Sequence, residues 1–214
     1  MTADNYPHPK VDRSVTSKRQ VDFQVIAEWV QPQSSVLDLG CGRGVLLEYL
    51  KVSKDVYGVG VDLSLDKASS CVKRGIPVFQ GDIDTVLSRF RPKSFDRVIF
   101  SRTVEELERP KETLLRALKV GRSVTVGFIN NGFWINRMNM FLHGKRTIND
   151  VFPRPWYESR PSNPFSMSEF ESFCSSESVK IERRICLGSD WQNTVQVLPN
   201  VRAGYVIFDV SRNS

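Results

Sequence analysis

The 214-residue sequence contains little of what membrane, secreted and metal-binding proteins need. No apolar run approaches the roughly 18 residues of a membrane-spanning helix, and the N-terminal residues lack the apolar core of a signal peptide. The four cysteines form no CxxC pair and only two histidines accompany them, which argues against zinc and iron–sulfur sites. We therefore expect a cytoplasmic protein with reduced thiols, no metal ion and no membrane contact.

The net charge of +6 raises the question of a nucleic-acid partner. The basic excess is densest between Arg89 and Arg122, but Glu105, Glu106 and Glu108 lie among these cations. A charge run of mixed sign is typical of a solvated surface. No nucleic-acid partner is therefore expected.

Apolar stretches alternate with amphipathic ones along the chain. Strands are predicted at residues 36–39, 56–61, 76–79, 96–100, 124–129, 181–187 and 203–210. Because helical segments of about ten residues alternate with the strands in the first part of the chain, these strands are expected to be parallel, with helices on both faces. The predicted fold is α/β, Rossmann-like and doubly wound, with a mostly parallel seven-stranded sheet.

The chain is expected to hold one domain. Residues 1–14 are polar and include two prolines, which predicts a flexible arm, and residues 15–214 form the domain. An excursion at about 130–165 is rich in aromatic residues, Asn and Pro. After it, the spacing of Ser168 and Glu171 predicts a capping box at the start of another helix.

The strongest local motif is VLDLGCGRG at residues 36–44. Its glycines lie in a strand-to-helix turn, where residues without a β-carbon allow positive φ angles and close approach of a ligand to the backbone. In open α/β sheets the ligand crevice lies at the carboxyl ends of the strands, which is where this turn is expected. The spacing GxGxG departs from the GxGxxG of NAD-binding folds.

Two acidic residues follow the next two predicted strands. Asp62 lies 22 positions after Gly40 at the end of the second strand, where a carboxylate can accept both hydroxyls of a ribose. Asp82 follows the third strand, where it can accept a hydrogen bond from an adenine amino group. An anionic Asp62 would repel a 2′-phosphate, which favours a nucleoside ligand over NADP.

In order and spacing, the glycine turn and the two acids resemble the class I methyltransferases that bind S-adenosylmethionine. The resemblance implies that the turn holds the methionine half, Asp62 the ribose and Asp82 the adenine, with S-adenosylmethionine or S-adenosylhomocysteine as cofactor. It implies a site formed by Asp38, Gly40, Cys41, Gly42, Gly44, Asp62, Leu63, Asp82, Ile83 and Ser101.

More specific segments resemble the MetW family of methionine-biosynthesis proteins, over roughly residues 20–190. They include FQVIAEWV at 23–30, FQGDID at 79–84, SFDRVI at 94–99, NGFW at 131–134 and Trp156-Tyr157. Members are implicated alongside homoserine O-acetyltransferase, so the resemblance implies this acyltransferase as a partner.

The sequence departs from the family at two places. It reads Ser101-Arg102-Thr103-Val104-Glu105 where the family usually has S-Q-T-L-Q, and Pro161-Ser162-Asn163 where the family has Asn-Ile-His. Both places are expected near the ligand or an acceptor. The roles of Arg102 and Glu105 and the identity of any acceptor therefore stay open.

Two functional hypotheses follow. The first is a protein that binds S-adenosylmethionine or S-adenosylhomocysteine and acts as partner or regulator of homoserine O-acetyltransferase. The second is an active methyltransferase on a small-molecule or protein acceptor. Glu105, Glu106 and Arg102 qualify as catalytic candidates only by their position after the fourth strand, so no catalytic residue is assigned. The sequence offers no clear general base for methyl transfer. This absence and the aromatic-rich excursion favour the first hypothesis.

Overall fold

The computed structural model describes residues 17–145, 157–158 and 162–212. The predicted arm at 1–14 and part of the predicted excursion lie outside these residues. By its contacts the chain divides into two compact units, Met1–Ser101 with Lys111–Thr125, and Arg102–Pro110 with Val126–Ser214.

The strands form one seven-stranded sheet in the order β3-β2-β1-β4-β5-β7-β6, which confirms the predicted α/β fold. The strands are β1 (Ser35–Leu39), β2 (Tyr57–Asp62), β3 (Val78–Gln80), β4 (Phe95–Ser101), β5 (Gly121–Ile129), β6 (Val179–Leu187) and β7 (Tyr205–Arg212). The helices are α1 (Ser17–Trp29), α2 (Val45–Lys54), α3 (Leu65–Lys73), α4 (Ile83–Leu87), α5 (Pro110–Val120), α6 (Trp134–His143), α7 (Met167–Ser176) and α8 (Pro199–Arg202), with a 3-10 turn at Val104–Glu106.

In the first unit, β1 lies between two parallel neighbours. It pairs with β2 and β4, and β2 pairs with β3. Parallel strands in the middle of a sheet are covered on both faces, so their sequences are nearly continuous apolar runs. Strand β1 follows this pattern with Val36, Leu37 and Leu39. Helices α1 and α2 supply Phe23 and Leu47 to the apolar core that contains Val36.

Two local features of the first unit differ from the prediction. Strand β3 begins at Val78 rather than Ile76, because the amide of Ile76 donates to the carbonyl of Cys71 and closes the turn after α3. The short helix α4 was not predicted. It begins after Asp82, whose carboxylate accepts a hydrogen bond from the amide of Thr85 and so caps the helix.

The second unit is built around aromatic side chains and an antiparallel strand pair. Strands β6 and β7 pair in antiparallel fashion. The Phe128 ring stacks on Phe208 with 5.9 Å between ring centroids, and Phe165 lies 4.4 Å from Phe128 by the same measure. Helix α7 begins with a capping box formed by Ser166 and Glu169, so the box predicted at Ser168 and Glu171 is two residues out of place.

Asn130 joins three segments of the second unit. Its fully buried amide group follows β5 and donates to the carbonyls of Asn200 and Ala203 at 2.9 and 2.8 Å. Its Oδ1 accepts from the amides of Gly132 and Met167, each at 2.9 Å. One side chain therefore satisfies four backbone groups, most of them in buried residues.

We expect Asn130→Ala to lower the free energy of unfolding by about 3 kcal/mol or more, since several buried donors and acceptors lose their partner at once. Urea denaturation followed by circular dichroism measures the loss. Asn131→Ala is the matched control, because the neighbouring amide makes one long hydrogen bond of 3.5 Å to Phe165. Equal losses in the two variants would contradict the role assigned to Asn130.

Candidate functional site

The glycine turn between β1 and α2 takes the left-handed conformation at three residues. Gly40, Gly42 and Gly44 have φ angles of 75°, 59° and 77°, which residues with a β-carbon adopt only at a cost. The amides of Gly40 and Cys41 both donate to the carbonyl of Val61, at 2.8 and 3.0 Å. A β-carbon placed on Gly42 would meet no atom within 4 Å. The turn is thus tied to the end of β2 and is open at Gly42.

Asp62 is the second support of this turn. Its Oδ2 accepts a hydrogen bond from the amide of Gly42 and its Oδ1 accepts one from the amide of Ser64, both at 2.9 Å. The Lys67 ammonium lies 3.7 Å from Oδ2. Each carboxylate oxygen can accept two hydrogen bonds. Asp62 therefore holds the turn and keeps acceptor capacity for two hydroxyl groups of a ligand.

The ends of β2 and β3 are tied together next to Asp62. The amide of Gly81 donates to the Asp62 carbonyl, and the Gln80 side chain donates to the Leu63 carbonyl, both at 3.0 Å. Asp82 is exposed and caps α4, which begins at Ile83. Within the described part of the chain, no hydrogen bond joins Asp82 to the glycine turn. Asp82 thus lies at the same sheet edge as Asp62 without supporting the turn.

Asp38 is a buried carboxyl group one residue before the end of β1. Its relative exposure is 2%. Burial raises the pKa of Asp38 to about 7; the guanidinium of Arg19 opposes the shift, and Asp22 and Asp62 add to it. No described residue donates a hydrogen bond to this carboxyl group. Asp38 is therefore an acidic group in the protein interior to which no residue of the described ranges donates a hydrogen bond.

Ser101, the last residue of β4, connects to an acid that the sequence analysis missed. The hydroxyl of Ser101 donates to Oδ2 of Asp22 at 2.7 Å. Asp22 lies on α1 and is fully buried. The signal for it was an acid three and four positions before the apolar residues Val25 and Ile26, a spacing that places all three on one face of a helix.

Cys41 and Cys71 fill the space beneath the glycine turn. Their sulfur atoms lie 3.8 Å apart, and the Cys71 thiol donates to the carbonyl of Gly42 at 3.3 Å. Burial raises the pKa of both thiols. A β-carbon on Gly60 would lie 2.5 Å from the Cys41 sulfur, so the residue opposite must be glycine. Cys41 is a packing residue and not a reactive thiolate.

Glu105, in the second unit, is fully buried in the 3-10 turn that follows β4. Its Oε1 accepts a hydrogen bond from the amide of Ile129 at 3.0 Å. Its Oε2 is buried and has no hydrogen-bond partner among the described residues. Burial raises the pKa of Glu105 to about 7. Glu105 is therefore not part of a solvated surface, although the mixed charge run in which it lies is typical of one.

Arg102, also in the second unit, lies just before the 3-10 turn that contains Glu105. Its φ angle is 59°, a left-handed conformation that is uncommon for residues other than glycine. Its amide donates to the carbonyl of Gly127 at 2.8 Å, and its guanidinium lies 5.8 Å from the ring centroid of Trp191. The ring of Trp191 stacks on Tyr205 at 3.9 Å. Arg102 thus contacts an aromatic pair inside the second unit.

Neither a metal cluster nor a membrane helix is found in the part of the chain that the structure describes. Over residues 17–145, 157–158 and 162–212, no three His, Cys, Asp or Glu side chains are grouped to hold a metal ion. No helix in the same ranges is long and apolar enough to cross a membrane.

The family model described as "Methionine biosynthesis protein MetW" matches residues 20–210. The chain belongs to the MetW family. The bifunctional methionine biosynthesis protein MetXA/MetW of Rhodopirellula baltica is 32% identical over 150 residues, which cover 66% of this chain and 24% of that protein. The MetW-family chain therefore spans about a quarter of the length of this relative.

Solved structures with similar folds include S-adenosylmethionine-dependent methyltransferases. One from Thermotoga maritima has a TM-score of 0.65 at 15% identity, covering 91% of this chain and 88% of that chain. One from Archaeoglobus fulgidus has a TM-score of 0.64 at 16% identity, covering 91% and 92%. The cyclase SpnF has a TM-score of 0.63 at 13% identity, covering 91% and 81%. At these identities the likeness shows the fold alone.

The pH dependence of stability tests the buried state of Glu105. Its pKa is about 7 in the folded protein, against an ordinary value of 4.5. Between these values the folded protein keeps a proton that the unfolded chain has lost. Because of Glu105, the free energy of unfolding therefore falls as the pH rises, by up to about 1.4 kcal/mol per pH unit. Glu105→Gln removes this contribution, so urea denaturation should show a shallower fall in the free energy of unfolding over that interval.

The control is Glu106→Gln, which makes the same charge change at an exposed neighbour. This variant should show the same pH dependence of the free energy of unfolding as the wild-type protein. If Glu105→Gln has the wild-type slope, the carboxyl of Glu105 is ionised in the folded protein, and its assignment as a buried neutral acid is incorrect.

Proposed function

We propose that this MetW-family protein binds S-adenosylmethionine or S-adenosylhomocysteine and acts as partner or regulator of homoserine O-acetyltransferase. The nucleoside ligand would be held by Asp38, Gly40, Cys41, Gly42, Gly44, Asp62, Leu63, Asp82, Ile83 and Ser101. The observation that carries the proposal is the position of Asp62, which holds the glycine turn at Gly42 and keeps acceptor capacity on both oxygens.

The surroundings of Asp62 fit a nucleoside. Gly42 leaves open space beside the carboxylate, where a ribose ring can approach the backbone. The exposed side chain of Leu63 offers an apolar contact for an adenine ring, and the exposed carboxylate of Asp82 can accept from its amino group. The methyltransferases named above share the fold and are described as dependent on S-adenosylmethionine, which supports the same ligand.

Two observations support a partner enzyme. In the relative from Rhodopirellula baltica a MetW segment is part of one protein with MetXA, so the two are made as a single chain there. Helix α6 of the present protein buries none of its residues. Trp134, Met138 and Phe141 are among its exposed apolar side chains, and exposed apolar patches of this kind mark protein contacts.

One observation favours the second candidate function, an active methyltransferase. A buried carboxyl group whose pKa is near neutral pH is suited to proton transfer, and Glu105 has a buried oxygen without a hydrogen-bond partner among the described residues. The fold itself does not decide between the two functions, since the cyclase SpnF shares it.

Asp62→Ala tests the ligand. The substitution removes the acceptor for two ribose hydroxyls and the support of the turn, so affinity for S-adenosylhomocysteine should fall by about 2 kcal/mol or more, roughly thirtyfold. Isothermal calorimetry measures both affinities. The control is Asp66→Ala, an exposed acid in the first turn of α3. Absence of heat with either nucleoside on the folded wild-type protein, or an unchanged affinity in Asp62→Ala, would count against the proposed ligand.

Co-purification with homoserine O-acetyltransferase from the same source tests the partner. The complex should form, and acetyl-CoA consumption by the acyltransferase should change when the MetW-family protein is added. Phe141→Ser on α6, where 82% of the residue is exposed, should weaken the complex. Tyr57→Ser, 70% exposed in the first unit, is the matched control.

The opposite outcome would favour the methyltransferase. In that outcome, the acyltransferase neither binds the MetW-family protein nor changes its rate when the protein is added. Radiolabelled methyl groups are instead transferred from S-adenosylmethionine to an acceptor.

A further inference from the structure

Two residues of the second unit combine a strained backbone with a contact between their side chains. Arg102 and Trp191 have φ angles of 59° and 62°, in the left-handed region that large side chains rarely adopt. The guanidinium of Arg102 lies over the ring of Trp191, and that ring stacks on the fully buried Tyr205. Strained residues of this kind cluster at ligand sites, so the contact marks a candidate site.

The chain that carries Arg102 is held by hydrogen bonds to two other segments of the second unit. The amide of Arg102 donates to the carbonyl of Gly127, near the carboxyl end of β5, at 2.8 Å. The backbone amide of Asn163 donates to the carbonyl of Glu105 at 2.7 Å, and its side chain donates to the carbonyl of Leu107 at 2.8 Å. Arg102 is therefore fixed at the kind of sheet edge where ligands bind in α/β folds.

The guanidinium of Arg102 is oriented but has no acceptor. Its side chain is half-buried against Trp191. Over residues 17–145, 157–158 and 162–212, no oxygen accepts a hydrogen bond from this guanidinium and no carboxylate forms an ion pair with it. A guanidinium has five N–H donors in a planar fork that matches the two oxygens of a carboxylate. Because the aromatic stack orients the fork, an oxyanion can pair with it at a small cost in conformational freedom.

The neighbouring acids favour a ligand with a single negative charge. The carboxyl group of Glu105 interacts electrostatically with both Arg102 and the exposed Glu106. Oε2 of Glu105 is buried and has no hydrogen-bond partner among the described residues. One guanidinium beside these acids can balance one negative charge, whereas a dianion such as phosphate meets repulsion from them. A carboxylate is planar and carries one charge, so it fits this site better than phosphate does.

We infer that Arg102 binds the carboxylate group of a small molecule, at a second ligand site formed by Arg102 and the stacked rings of Trp191 and Tyr205. The site shares no residue with the ten assigned to the nucleoside. The inference goes beyond the proposed function and does not depend on it, because it uses neither the nucleoside nor the acyltransferase.

Glu105 links the carboxylate site to pH. Burial raises the pKa of Glu105 to about 7; the backbone amides of Ile129 and of Glu105 itself oppose the rise, Glu106 adds to it and Arg102 opposes it. A carboxylate bound to Arg102 cancels the positive field of the guanidinium at Glu105, so this pKa rises further. Binding near pH 7 therefore takes up protons, and the affinity for a carboxylate falls as the pH rises.

The experiment titrates sodium butyrate into the full chain at constant ionic strength and records tryptophan fluorescence. Butyrate should change the emission saturably, with an affinity about threefold or more higher at pH 6 than at pH 8. Butyramide, which lacks the charge, and inorganic phosphate should each bind about tenfold or more weakly than butyrate. Trp191 is one of four tryptophans. Trp191→Phe keeps an aromatic ring beside Arg102 and should remove most of the fluorescence change, which assigns the signal.

Arg102→Gln should weaken butyrate binding about tenfold or more. Arg102→Lys keeps the charge without the planar fork, so its loss should be intermediate, and it replaces Arg102→Gln if circular dichroism shows that variant to be unfolded. Glu105→Gln should still bind butyrate but lose the pH dependence. The matched control is Arg212→Gln, an exposed arginine at the last residue of β7, whereas Tyr205 is the first. The two strand ends lie about 23 Å apart, so this variant should bind like the wild-type protein.

The outcomes are distinct from those of the nucleoside experiments. Equal affinities for butyrate and butyramide, or an unchanged affinity in Arg102→Gln and Arg102→Lys, would refute the carboxylate site. So would a folded wild-type protein that shows neither a saturable fluorescence change nor heat of binding with butyrate. Tighter binding of phosphate than of butyrate would refute the assignment of a carboxylate ligand. None of these results bears on nucleoside binding at Asp62.

Discussion

The left-handed turn after β1 is the constraint on which the site depends. Three glycines bend the chain there, and the carboxylate of Asp62 holds the turn by accepting the amide of Gly42. The end of β2 contributes further through the carbonyl of Val61, which accepts from Gly40 and Cys41. Because these contacts join neighbouring parallel strands, the packing of β1 against β2 also sets the geometry of the edge where the nucleoside is proposed to bind.

Two buried acids, Asp38 and Glu105, lower the stability of this fold. Burial raises the pKa values of Asp38 and Glu105 to about 7. Within the part of the chain that the structure describes, Oε2 of Glu105 has no hydrogen-bond partner and no residue donates to the carboxyl group of Asp38. An apolar side chain of similar size would cost less at either position. Retention of such groups is typical of sites that bind or transfer charge. The two acids belong to different units, which is consistent with separate roles.

Much of the fold and part of the site follow from local sequence patterns. The strands and the turn at Gly40–Gly44 are encoded by contiguous residues, as is the position of Asp62 at a strand end, so pattern and spacing predict them. The hydrogen bond between Ser101 and Asp22 could not be predicted in this way, because the two residues are 79 positions apart. The capping box of α7 was misplaced because Ser166 and Ser168 both have an acid three residues later, and tertiary contacts at Met167 select the first. The predicted single domain and the ligand roles of the ten site residues stay predictions.

The crystal structure of the protein with S-adenosylhomocysteine is the most direct test of this account. It should show the ribose hydroxyls donating to Asp62 beside Gly42. A nucleoside bound away from Asp62 would contradict the proposed ligand site.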